Sequence, residues 1–273
     1  LGMRGTVYVA MGGTALAAVC VFAVLGRKTG ASDEPPAAVT RTAAERRRSP
    51  VAPWLAIAIL GLSGFAALVH EIAWTRILSL VLGPTTYAFA ATLAAVIAGV
   101  AIGSGAGSWL LSRRSANAGA MLAFTLSLAA VTASWTYAAA GSRIPMMVAR
   151  YVAELADFDQ VLIRGVLLTM ALIVPTSACL GAAFPFALAL ADDRLHPAPG
   201  RFGVVYAINT LGSVTGSLMA GFLFIPVFGI QATLWIVSGC LIAGAGLLIV
   251  SGRSEEHTSN SSHVSESRMP SSA

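Results

Sequence analysis

His70, Glu71, Trp74, Thr75 and Arg76 lie within one short stretch of an otherwise apolar run, in the order HEIAWTR. Ionisable side chains inside such a run are costly to bury, so they mark a candidate polar site. On a helix His70 and Trp74 share one face, and Glu71 and Thr75 share another about 100° round it, because residues four apart stack. Arg76 stands five residues after Glu71 and can reach back only through its long side chain. A helix starting at Trp54 carries Glu71 about 26 Å and Arg76 about 33 Å along its axis. Across a hydrocarbon core of about 30 Å that depth puts Arg76 near the outer headgroups. Two readings follow. In one, Trp74 and Arg76 anchor the helix at the headgroups and Glu71 bonds a neighbouring helix; in the other, Glu71 serves a substrate or proton site. Tyr87, just past the Gly83-Pro84 turn, is the nearest candidate partner for Glu71. Asn209 is a further polar candidate, near the cytoplasmic end of a later helix and expected to stay away from Glu71.

The composition sets the class of molecule that must hold these residues. Of 273 residues 11% are charged and 56% hydrophobic, with a mean hydropathy of +0.78. A soluble domain of this length could not cover itself with a polar surface, so the expectation is an all-α, polytopic membrane bundle. Uncharged runs cover Gly5 to Gly26, Pro53 to Val69, Ile77 to Ser112, Ser115 to Ser142, Gly165 to Ala191 and Phe202 to Gly252. A span needs about 20 residues, so the last run accommodates two passes, broken at Pro226 and Gly229, and seven spans result.

The formal charge of +5 comes from basic residues spread over short loops, a pattern that orients a membrane protein and does not bind nucleic acid. The sequence 27–52, basic and rich in Pro and Ala, reads as a cytoplasmic linker. Arg113, Arg114, Arg194, Arg201 and Arg253 fall on the same side, and Arg4, Arg143, Arg150 and Arg164 on the other. Residues 143 to 164 have helical apolar spacing with an Arg150–Glu154 pair, which suits a short helix on the outer interface. Cys20, Cys179 and Cys240 sit in predicted spans without metal-ligand spacing and read as packing residues. No P-loop, HExxH, CxxC or GxSxG motif occurs, GSGAGS lacks the third glycine of a dinucleotide fingerprint, and no metal site is expected.

Gly99, Gly103 and Gly107 recur every four residues, as do Gly212, Gly216 and Ala220. Such rows let helix backbones approach closely in a membrane. Pro175 and Pro185 should kink the fifth span. The second to fourth and fifth to seventh spans are expected to form an inverted 3+3 repeat with the two small-residue rows facing each other. Leu1–Val9 also aligns with Phe228–Ile236 at a constant offset, with Gly2, Thr6 and Gly12 matching Gly229, Thr233 and Gly239. Residues 1–26 therefore read as the last helix of a preceding copy, ahead of a six-helix domain at 53–252. The segment 253–273 is polar and without a fold signal, resembles translated sequencing-adapter sequence, and leaves His257 and His263 without a ligand role.

GFAALVHEIAWTRILSLVLGPTTYAF and GRFGVVYAINTLGSVTGSLMAGFLFIPVFGI resemble the membrane domain of bacterial fused major-facilitator-like/spermidine synthase proteins. The likeness covers about residues 53 to 252, with EIAWTR and YAINTLGS its most specific parts. It implies a multi-pass protein of the bacterial inner membrane that anchors an aminopropyltransferase-like domain or handles polyamine for it. Decarboxylated S-adenosylmethionine would be the cosubstrate of that domain, which has no counterpart in this sequence; no catalytic residue and no cofactor are expected here. His70 stands where a tyrosine is more usual, and the Leu111–Arg114 turn lacks the acidic residue common in major-facilitator loops. A transporter-like or scaffold protein without an enzymatic link is the alternative. The substrate and oligomeric state are not legible.

Overall fold

A computed structural model describes residues 52–81, 83, 85–113, 117–142, 146, 149–150, 158–191 and 201–266. The first expected span, the linker before residue 52, Cys20 and the stretch 151–157 lie outside the described residues. The chain divides into two units, Leu1–Arg48 and Ser49–Ala273, and the described residues all belong to the second.

The described residues form helices joined by short turns, with no strand among them. α1 spans Pro53–Val81, α2 Thr86–Arg113, α3 Ala118–Ser142, α4 Phe158–Ala191, α5 Arg201–Leu218 and α6 Ile225–Glu266; a π-helical segment, Met219–Phe224, joins the last two. The starts are written in the sequence. Pro53 opens α1, where a missing N–H costs nothing. Gly83 turns the chain at φ +87°, and Thr85 Oγ1 then accepts from the Ala88 N–H at 3.2 Å. Asn117 Oδ1 caps α3 by accepting from Gly119 and Ala120. Inside the helices, buried hydroxyls such as Thr92 and Thr169 donate to carbonyls four residues back, so they carry no unmet donor into the apolar interior.

Five helices are long and apolar enough to cross a membrane: Pro53–Leu80, Thr86–Arg113, Ala118–Ala138, Asp159–Ala191 and Phe202–Arg253. Over the same range the sequence suggested six. The difference lies in the last run, 52 residues long, which continues through Pro226 and departs from helical geometry at Gly229, with φ 79° and ψ 167°. The helix tolerates Pro226 because it sits two residues after the end of the π-helical segment, where the hydrogen-bond register is already changing. The fourth crossing helix also begins earlier than Gly165, at Phe158, so residues 158–164 extend it and do not belong to a separate interfacial helix. At the other end α6 continues to Glu266, past Gly252 where the sequence offered no fold signal. With no Pro or Gly between Arg253 and Glu266, extending an established helix is cheap compared with starting one.

α2 packs on α4, α1 on α5, and α3 on both α4 and α6; α1 also touches α2, α4 and α6. α1 is thus surrounded, which explains the deep burial of Leu60, Ala66, Val69, Ala73 and Leu78 along it. Outward-facing positions are apolar as well, among them Phe222, Phe124, Val131 and Ile97, as a surface against hydrocarbon requires.

The small-residue rows do not meet each other. A Cβ added at Gly103 would overlap the main chain of Ala178, and one at Gly99 would lie 2.6 Å from Ser177 Cβ, so the first row closes on α4. Gly212 packs on the carbonyl of Gly61 and Gly216 on that of Phe65, so the second closes on α1; Ala220 is fully buried beyond them. A row of small side chains requires some backbone to come near but does not say whose.

α4 keeps both prolines within one helix. Pro185 has no N–H to give the carbonyl of Gly181, four residues earlier. Ser104 Oγ on α2 donates to that same oxygen at 3.1 Å, which supplies the missing bond from a neighbour.

Candidate functional site

Three helices meet at a small cavity of about 20 Å³. α1 contributes Ala67, His70, Glu71 and Trp74; α2 contributes Val96 and Val100; α4 contributes Ile173, Thr176, Ser177 and Leu180. The three residues from the HEIAWTR stretch come together because the cavity takes in two adjoining faces of α1, that of His70 and Trp74 and that of Ala67 and Glu71.

His70 is 4% exposed. Its Nδ1 lies 2.7 Å from the carbonyl oxygen of Ala66, while Nε2 is buried with no partner. Trp74 is 2% exposed, and its Nε1–H is likewise buried without an acceptor. Its ring packs with Leu78, Ala95, Leu172 and Ile173. The anchoring role suggested for Trp74 at the headgroups therefore does not describe its position: the indole fills the junction of α1, α2 and α4. Glu71 is half-buried and lines the same cavity.

The remaining sequence candidates lie elsewhere. Thr75 Oγ1 donates to the Glu71 carbonyl at 2.8 Å, a bond within α1, and Arg76 is exposed. Tyr87 is 57% exposed and does not line the cavity. Asn209 sits against Gly64, where an added Cβ would lie 2.5 Å from its main-chain oxygen and 2.7 Å from Oδ1. Gly64 precedes Glu71 by seven residues, about 10 Å along the helix, so Asn209 belongs to the contact between α1 and α5.

Thr176 and Ser177 were not singled out by the sequence. Thr176 is buried and its Oγ1 donates to Thr132 Oγ1 on α3 at 3.1 Å; Ser177 stands where α4 meets Gly99. Their signal, two hydroxyls following Pro175 in an apolar run, is too common to mark a site. Among the described residues no group of three His, Cys, Asp or Glu could hold a metal ion. The arrangement offers a histidine nitrogen, an indole N–H and a carboxylate in a small, mostly apolar space, which can bind or relay through a small polar group; among the described residues no hydrogen bond there pairs a nucleophile with a base.

No family model, no curated protein and no solved structure matches this chain.

Proposed function

We propose that this chain is the membrane-embedded module of a spermidine synthase-like, polyamine aminopropyltransferase protein in a bacterial inner membrane. It would anchor the synthase domain or handle polyamine for it. The observation that carries the reading is that the two most specific segments of the resemblance are placed on helices that pack on each other. EIAWTR lies on α1 and YAINTLGS on α5, joined where Gly212 and Gly216 close on Gly61 and Phe65.

The reading includes a seven-pass topology with an inverted 3+3 repeat. A run of 52 residues is about 78 Å long as a helix, more than twice the hydrocarbon thickness, so the break at Gly229 separates two passes. Helix packing supports the repeat. The second helix of the first triplet, α2, packs on the first of the second, α4, and α5 packs on α1 in return. Three passes per unit reverse the orientation of the second unit. The linker 27–52 would then be cytoplasmic, and a cysteine at Ser49 should resist an impermeant reagent in intact cells; ready labelling would overturn that topology.

The genomic locus beyond the codon for Gly252 tests the enzymatic link. An in-frame domain with a glycine-rich nucleotide loop supports it, and its absence favours a transporter-like or scaffold protein, the second reading, for which the exchanged packing of the two triplets also speaks. The purified chain alone should form no aminopropyl-transfer product from decarboxylated S-adenosylmethionine and putrescine. Handling of polyamine predicts spermidine binding to the chain in nanodiscs, weakened at least about tenfold by Glu71→Gln, the loss of a charge-assisted contact. Equal binding by the two proteins would remove Glu71 from that role.

A further inference from the structure

The cavity at the junction of α1, α2 and α4 contains two buried polar atoms of opposite character. The Ala66 carbonyl can only accept, so the hydrogen at the 2.7 Å contact belongs to Nδ1 of His70. In the neutral imidazole Nε2 is then an acceptor, and nothing donates to it. Trp74 Nε1–H is a donor only, and nothing accepts from it. Both side chains are more than nine-tenths buried and line the same space. Native interiors rarely leave such groups unmet, and a single site with one unmet donor and one unmet acceptor points to a shared ligand.

We propose that this cavity binds one hydroxyl group, that of a water molecule or of a small alcohol, which donates to His70 Nε2 and accepts from Trp74 Nε1–H. The size fits. About 20 Å³ is available, and a single water needs roughly 10–15 Å³. Glu71 and Ser177, which also line the space, are available as further partners.

Donor and acceptor counting excludes cations and groups that only accept. An ammonium group carries only donors, so it would satisfy His70 and set an N–H against the N–H of Trp74. A metal ion would meet the same N–H. A carbonyl or halide would accept from Trp74 and leave His70 unmet. The inference does not depend on the enzymatic reading above, since it concerns only the space between His70 Nε2 and Trp74 Nε1–H.

The test uses the full chain in lipid nanodiscs with ¹⁵N-labelled tryptophan. The chain has five tryptophans, and Trp74→Phe identifies the indole signal of interest by its loss. The expected result is a cross-peak from the Trp74 indole proton to water, together with an upfield shift of that proton in His70→Phe. In deuterated protein supplied with a protonated alcohol, a cross-peak to the alcohol's CH protons, with the same shift, identifies a bound alcohol as the source of the hydroxyl. Absence of both cross-peaks overturns the proposal. So does a cross-peak that stays unshifted in His70→Phe, because the bridge between the two side chains would not exist. His70→Gln, which keeps an acceptor, should retain the cross-peak and serves if His70→Phe does not fold.

Discussion

The α2–α4 contact and the α1–α5 contact close by the same means and differ in what lies beside them. In the first, Gly99 and Gly103 admit Ser177 and the main chain of Ala178, and Gly181 returns the approach against Val100. In the second, Gly212 and Gly216 admit the main chain of Gly61 and Phe65, and Gly64 receives Asn209 and Ser213. Beyond Gly64, α1 continues as FAALVHEIAWTR; beyond Gly181, α4 continues as AAFPFALALA with no ionisable group. The tight contacts are therefore framework common to both helix pairs, whereas the polar cavity depends on ionisable residues that only α1 supplies. Space for a ligand arises where Val96 and Val100 of α2, rather than its glycines, face His70 and Trp74.

The largest effects should come from filling either contact. Gly103→Leu and Gly216→Leu each place a side chain where main-chain atoms already stand, and each should cost about 1–3 kcal/mol, read as a lower melting temperature in detergent. A clear loss at one position and none at the other would mean the two contacts are not equivalent framework. Ser104→Ala should cost less, about 1 kcal/mol, since it removes the cross-helix donor to the Gly181 carbonyl at the Pro185 gap. The comparison sharpens if Pro185→Ala restores stability to Ser104→Ala, because the backbone N–H then returns to that carbonyl. The smallest effect belongs to Gly105→Ala, which meets nothing within 4 Å and should leave stability unchanged or raise it by up to about 1 kcal/mol.

Much of this was legible in the residues, and the part that was not has a common cause. Apolar runs bounded by Pro53, Gly83 and Asn117 delimit the helices, and glycine every fourth residue signals a close backbone. Neither names a partner, so the rows at Gly99 and Gly212 suggested each other when the first closes on α4 and the second on α1. Depth arithmetic placed Trp74 at the headgroups because it counts residues along α1 and cannot see that α1 is surrounded. The pairing of Ser104 with Gly181 joins residues 77 apart, and only the packing of α2 on α4 connects a hydroxyl with the bond that Pro185 removes. The break at Gly229 was legible as a Pro/Gly signal, but its backbone angles were not.

The exchanged pairing of the helices is tested most directly by disulfide trapping. With the native cysteines replaced, Gly99→Cys combined with Ser177→Cys should cross-link under mild oxidation, because the two Cβ positions lie 2.6 Å apart and a small separation brings them to the roughly 3.8 Å a disulfide needs. Gly99→Cys combined with Gly216→Cys should not. A protease site placed between α3 and α4 reads the result for each cysteine pair, as the fragments stay joined only when a helix before the cut is bridged to one after it. Trapping of the 99–177 pair alone is the predicted outcome; trapping of 99–216 with 99–177 remaining free would contradict the architecture.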